Sequence, residues 1–208
     1  MKESLSLVRK IAESGVKTFH EHHHILFDLA KDFGAREINY VEIGCYAGAS
    51  ASLMMHRPKT SIISIDLGKP IPPAEAILNV NKFNAFHNRH NYVCGNSTNP
   101  ATIKEFLPLL MGKGIDLLFI DGGHKYDNVI LDFLLYSALV NRGGYVVIDD
   151  VMSPPCPEVY PAVQFLELHA FREYTVLGIA NNEDGALFAN PLIPTLIEKN
   201  NEFVLRKK

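Results

Sequence analysis

Apolar positions along this 208-residue chain change their period repeatedly. Over residues 5–33 they recur at helical spacing, with a break near Gly15 and a stop at Gly34. Short apolar runs follow at 38–43, 61–65, 92–94, 115–120 and 145–148. Each is of strand length and rich in Val or Ile, without clean alternation, as strands buried on both faces of a parallel sheet are. Helical stretches separate them. The clearest covers 126–140, where Tyr126, Val129, Ile130, Phe133 and Leu134 share a face and Gly143 and Gly144 would end it. Asn99-Pro100 opens another, which Pro108 should kink or end early. After a helix at 162–170, runs at 174–180 and 186–190 flank Asn181-Asn182-Glu183-Asp184-Gly185, the pattern of an antiparallel hairpin.

This rhythm predicts an α/β fold: a doubly wound, mostly parallel sheet with right-handed crossovers, helices on both faces and a C-terminal antiparallel hairpin. No repeat, linker or low-complexity segment interrupts it, so one domain is expected over 1–208. Its parts would be an N-terminal helical segment (1–36), a cofactor-binding core (37–190) and a polar, partly ordered tail (191–208).

Composition narrows the class. A net charge of −3 and the lack of a basic stripe argue against a nucleic-acid surface. No apolar run is long enough to span a bilayer and no signal-type core opens the chain, so no membrane partner is expected. Cys45, Cys94 and Cys156 are too scattered for a disulfide framework or a zinc site, which suits a reducing, cytoplasmic compartment.

The most informative stretch is Val41-Glu42-Ile43-Gly44-Cys45-Tyr46-Ala47-Gly48-Ala49-Ser50. It reads as a strand turning through two glycines into a helix, which brings bare backbone N–H groups to a bound cofactor. A dinucleotide loop would need glycine where Tyr46 stands, so that the pyrophosphate could reach the backbone. The loop therefore suits a cofactor without a pyrophosphate, of which S-adenosylmethionine is the common one. Strand ends carry acids: Glu42, Asp66, Asp121, Asp149 and Asp150. An acid there can simply cap the next helix. Five at one sheet edge repel one another and call for something positive.

Three segments together carry a family resemblance: Glu42–Ser50, Phe119-Ile120-Asp121-Gly122-Gly123-His124-Lys125-Tyr126, and Gly143-Gly144-Tyr145-Val146-Val147-Ile148-Asp149-Asp150-Val151. The chain resembles class I S-adenosylmethionine-dependent methyltransferases, in the branch of catechol O-methyltransferase-like, cephalosporin-hydroxylase and macrocin-type enzymes. The resemblance covers about residues 39–190 and implies a Rossmann-like, seven-stranded sheet whose last strand is inserted antiparallel. It also implies roles. Gly44, Tyr46 and Gly48 would line the methionine part of the cofactor, Glu42 would help hold its amino group, and Asp66 would bind the ribose. Asn96, Ser97 and Thr98 would lie near the adenine. Asp121, Asp149 and Asp150 would hold a divalent metal such as Mg²⁺, with Asp121 also touching the cofactor and the reacting groups. Asp150 departs from the catechol pattern, which has an amide there, and His124 stands where those enzymes place a lysine base.

The expected chemistry is metal-assisted methyl transfer to a hydroxyl of a small molecule. A cation would lower the hydroxyl pKa and a base would take the proton. His124 either serves as that base or hydrogen-bonds locally at a helix start. The rivals are a metal-independent methyltransferase of the same fold, a cofactor-binding protein without catalysis, and a reductase, against which Tyr46 counts. His20, His22, His23 and His24 are expected on a solvated or interface face, since adjacent histidines diverge around a helix and no nearby acid completes a chelate. Arg89, His87 and His90 read as a polar helix end. The apolar surplus of residues 5–33 suggests a roof over the substrate or pairing with a second copy into a homodimer.

Overall fold

The computed structural model describes residues 3–16, 20–181, 187–188 and 200–208. The strands are β1 (Ile38–Ile43), β2 (Thr60–Asp66), β3 (Arg89–Cys94), β4 (Ile115–Ile120), β5 (Val140–Ile148), β6 (Tyr174–Asn181), β7 (Leu187–Phe188) and β8 (Asn200–Lys207). The helices are α1 (Glu3–Glu13), α2 (His24–Lys31), α3 (Ala49–Met54), α4 (Pro73–Asn81), α5 (Pro100–Phe106), α6 (Tyr126–Ser137) and α7 (Val159–His169). One sheet runs in the order β3-β2-β1-β4-β5-β8-β6-β7. The first five strands pair in parallel, and β8 pairs antiparallel with both β5 and β6. The doubly wound, mostly parallel expectation holds, with two-residue β7 closing the hairpin edge.

β1, β2 and β4 are buried along almost their whole length because both faces are covered, whereas edge strand β3 is largely exposed or half-buried. Val41, Ile43, Leu118, Ile120, Val146 and Ile148 pack into one layer with Phe106, Phe133 and Val163. Their neighbours Tyr40, Leu117, Phe119, Tyr145 and Val147 point the other way, against Leu26, Ala30 and Met54. A third cluster joins Val8 and Ile11 of α1 to Phe27 and Leu53. The periodic stretch 5–33 thus holds two helices, and a 3₁₀ turn, Glu21–His23, leads directly into the second.

Four expectations change. The segment read as a polar tail supplies β8, whose Phe203, Val204 and Leu205 are fully buried. Burying each stabilises the sheet by about 1.5–3 kcal/mol, and three apolar residues among charged ones were too short a run to show it. The helix expected to reach residue 140 ends at Ser137, and Gly143 and Gly144 lie inside β5. No Cβ fits at Gly144, where it would sit 2.8 Å from the Asp116 carbonyl oxygen, so this glycine serves close strand approach and not a helix stop. Arg89 and His90 begin β3 and are not a helix end. His90 Nε2 lies 2.9 Å from Ser64 Oγ on the neighbouring strand. The Asn99 start of α5 is as expected, its side chain accepting from the Ala101 N–H at 2.9 Å. Of the turn expected at Asn181–Gly185, Asn181 ends β6, and residues 182–186 and 189–199 lie outside the described residues.

Candidate active site

Strand order reverses between β1 and β4, so their crossovers leave in opposite directions and open a crevice at the carboxyl ends. A cavity of about 450 Å³ occupies it, within the range of small-molecule sites. Its wall takes residues from the ends of all five parallel strands: Gly44 and Tyr46, Asp66, Asn96 and Ser97, Asp121 and His124, and Asp149 and Asp150.

The β1–α3 loop is shaped by backbone demands. Gly44 has φ +90°, and a Cβ there would meet the Asp121 carbonyl oxygen at 1.9 Å. Gly48, also left-handed, leads into α3 and lies against Val80 and Ala76 of α4; it does not line the cavity. Tyr46 is left-handed without being glycine (φ 47°). The Asp66 carboxylate holds it there, with Oδ2 accepting from the Cys45 and Tyr46 N–H groups at 2.9 Å each and Oδ1 from Gly68 N–H at 2.6 Å.

Glu42 lies beneath this loop and not on its surface. It is fully buried and accepts from Tyr40 Oη (2.9 Å), Ser50 Oγ (2.6 Å) and Ser64 Oγ (2.7 Å). Burial raises its pKa, against the pull of the Ser50 and Ser64 hydroxyls. Away from the cavity, it ties β1 to β2 and α3, so the expectation that it holds a cofactor amino group gives way to a structural role. Thr98 likewise turns back to Asn96, its N–H and Oγ each 3.0 Å from Asn96 Oδ1, and is not part of the cavity wall.

Two lining residues have no counterpart in the sequence motifs. Asp132 of α6 is buried, accepts from Ser97 Oγ at 2.6 Å, and is pushed up to about 6 by that burial. Asn128 stands over Gly123, where a Cβ would lie 2.2 Å from its Nδ2. Both sit on the face of α6 turned to the cavity. Helical periodicity counted only that helix's apolar residues and so passed over them.

The three strand-end aspartates separate into different settings. Asp121 is pushed up by burial and by the nearby Asp149 charge, against the pull of His124. His124 Nε2 lies 3.5 Å from Asp121 Oδ1 and 3.2 Å from Asp150 Oδ2. The Asp121 contact raises the His124 pKa against the effect of burial. Asp150, with φ 58°, also faces the Cys156 thiol at 3.3 Å. Asp149 is buried between His22 and His23. Burial opposes its charge, yet those imidazoles hold it well below the usual carboxylate range.

Among the described residues, the sets whose ligand atoms all lie within 4.8 Å of one another are His22, His23 and Asp149, and His124, Asp150 and Cys156. Asp121, Asp149 and Asp150 do not form such a set, so the expected three-carboxylate Mg²⁺ site does not fit this arrangement. Of the four histidines expected on a solvated face, His20 is exposed, His24 is buried beside Asp28, and His22 and His23 are buried against an acid 127 and 126 residues away. A 3₁₀ turn ahead of α2 lets adjacent rings converge, at 5.0 Å between centroids. The double histidine was visible in the sequence; its partner was not.

A family model for a methyltransferase domain matches residues 41–151. An uncharacterized protein of Acanthamoeba polyphaga mimivirus is 38% identical over 200 residues, covering 91% of this chain and 88% of that protein. Among solved structures, the O-methyltransferase TomG from Streptomyces achromogenes, involved in tomaymycin synthesis and complexed with SAM, superposes with a TM-score of 0.60. It is 18% identical, with 99% of this chain and 89% of that chain covered. An O-methyltransferase from Bacillus cereus in complex with SAH gives 0.57 at 16% identity, covering 100% and 91%. MycE from the mycinamycin biosynthetic pathway, complexed with Mg, SAH and mycinamycin VI, gives 0.63 at 14% identity, covering 99% of this chain and 54% of that chain. At these identities the likeness is one of fold.

Proposed function

Because this chain belongs to the methyltransferase-domain family, we propose that it is an S-adenosylmethionine-dependent O-methyltransferase acting on a hydroxyl of a small molecule. The observation that carries the reading is the cavity at the strand-order reversal, where the Gly44–Tyr46 loop and Asp66 face His124 and Asp121 across one space. Asp66 Oδ2 accepts from two backbone N–H groups, whereas Oδ1 accepts from one and keeps a lone pair for a ribose hydroxyl. Asn96, Ser97 and Asp132 offer polar atoms to an adenine on the β3 side. The fold likeness to O-methyltransferases bound to SAM or SAH supports the same cofactor.

Methyl transfer from a sulfonium is an in-line displacement: the acceptor oxygen bonds to the methyl carbon while the carbon–sulfur bond breaks. The protein's work is alignment and proton removal. His124 lies between Asp121 and Asp150, so its Nε2–H donates to those carboxylates and Nδ1 is the nitrogen that takes the hydroxyl proton. The two flanking acids then stabilise the imidazolium. Because the three-aspartate set does not assemble, no step is routed through a cation there.

The acceptor's setting is beside His124, in the same cavity that His20 also lines. That position supports the roof role for the N-terminal segment. A homodimer through the same segment is the companion proposal. No described helix is long and apolar enough to cross a membrane, and three free cysteines suit a reducing, cytoplasmic setting. Incubation with S-adenosylmethionine and a panel of sugar and phenolic hydroxyls, read by mass spectrometry, should yield S-adenosylhomocysteine and a methyl ether. Calorimetry showing NADH binding and no S-adenosylhomocysteine binding would overturn the reading.

A further inference from the structure

The donors around Asp149 have the spacing of a chelate. His22 Nε2 lies 3.1 Å from Asp149 Oδ1, and His23 Nε2 lies 3.2 Å from Oδ2. Two donors each about 2.0–2.1 Å from one first-row cation stand roughly 2.9 Å apart at a right angle and about 3.4 Å apart at the tetrahedral angle. The observed separations fall inside that window. The ligand atoms of all three side chains lie within 4.8 Å of one another, and all three residues are buried.

A second observation comes from the opposite strand. The β5–β8 ladder pairs Ile148 with Phe203, so Glu202 stands one step on, across from Asp149. Glu202 is fully buried, and neither of its carboxylate oxygens has a hydrogen-bond partner. An unpartnered buried carboxyl is costly in any fold, and more so beside another acid. The sheet keeps it there in a strand whose next three residues are all apolar and buried. A dication held by Asp149 would supply the missing positive charge.

We infer that His22, His23 and Asp149 form the binding site of a divalent first-row transition cation, with Glu202 as the acid that balances its charge. Two imidazoles and one carboxylate select borderline ions such as Zn²⁺, Co²⁺ or Ni²⁺; Mg²⁺ prefers oxygen ligands and keeps several waters. Asp149 also lines the cavity, so the ion would sit in its wall, beneath His20, whose ring stacks on His22 at 5.0 Å. The inference deepens the methyltransferase reading only in placing this ion beside the proposed acceptor position.

The test uses the full chain purified without chelators and equilibrated with Zn²⁺, Co²⁺ or Mg²⁺. Elemental analysis should find about one Zn²⁺ or Co²⁺ per chain after desalting and no retained Mg²⁺. X-ray absorption of the zinc-loaded wild-type protein should show imidazole scattering, a readout that needs no variant to fold. The His22→Gln/His23→Gln variant should lose more affinity than the roughly 10–100-fold typical of an outer-shell substitution. No stoichiometric transition metal, a bound ion with oxygen-only ligands, or unchanged affinity in the double variant would each overturn the site. Calorimetry with S-adenosylhomocysteine on the same samples separates the two readings. Cofactor binding without metal sinks this inference alone, and metal on imidazoles without cofactor binding upholds it while removing the methyltransferase proposal.

Discussion

Asp66 Oδ2 accepts a 2.9 Å hydrogen bond from the backbone N–H of Tyr46, twenty residues earlier, and so fixes the loop after β1 from the end of β2. One carboxylate therefore shapes the loop and faces the proposed ribose position. Asp66→Ala should weaken S-adenosylhomocysteine binding by about 1.5–3 kcal/mol, or roughly 10–150-fold. Calorimetry at constant ionic strength reads this directly. Unchanged affinity would remove Asp66 from the cofactor site.

Gly44 gives a sharper structural test. An alanine there must adopt φ +90° and place its Cβ 1.9 Å from the Asp121 carbonyl oxygen, so β1 and β4 have to part. Gly44→Ala should cost about 2–4 kcal/mol in urea unfolding, through backbone strain added to a forced shift. Gly15→Ala, where a Cβ would meet nothing within 4 Å, is the control for positive φ alone. Equal losses at both positions would show that the close approach of the two strand ends costs nothing.

His124 as the proton acceptor predicts a pH dependence. Its contact with Asp121 raises its pKa above the ordinary 6.5, so it is protonated, and idle as a base, until the pH exceeds that raised value. Turnover should climb with pH through a pKa above 6.5. His124→Gln should lower kcat by about 10²–10⁴-fold, with cofactor affinity changed only slightly. A pH-independent kcat in the wild type would point to another base.

Asp132 carries a stability signature of its own. Burial lifts its carboxyl from 3.8 to about 6, so between those values the folded state holds a proton that the unfolded state has lost. The stability tied to that proton is present at low pH, falls as pH rises through about 6, and is then flat. Asp132→Asn cannot lose it. The variant's urea midpoint relative to wild type should therefore climb between pH 4 and pH 7, and a constant difference across that range would reject the assignment.

The sequence was legible where pattern and burial coincide. Ile38–Ile43 and Ile115–Ile120 run to the expected residues because apolar runs covered on both faces have sharp polar ends. The acids at strand ends were equally plain, since topology alone collects them at one edge. What the sequence did not disclose was pairing across distance. Glu42 looked like a ligand until Tyr40, Ser50 and Ser64 were found around it. His22 and His23 looked solvated until the 3₁₀ turn set both against Asp149. Asp132 and Asn128 were missed for a related reason: a helix's apolar stripe locates its core face, while the cavity takes the flank beside it.

The place of β8 bears on how this molecule can be made. β5 and β6 do not touch in the sheet; each is joined to the other only through β8. During synthesis from the N-terminus, the parallel half can pack as soon as α7 emerges, but residues 174–181 then have no edge to join. The latest strand in this sequence must slide between elements already made, closing contacts of long sequence separation, which is the slow kind. Because that strand also brings Glu202 opposite Asp149, this side of the sheet edge is complete only once β8 has joined it.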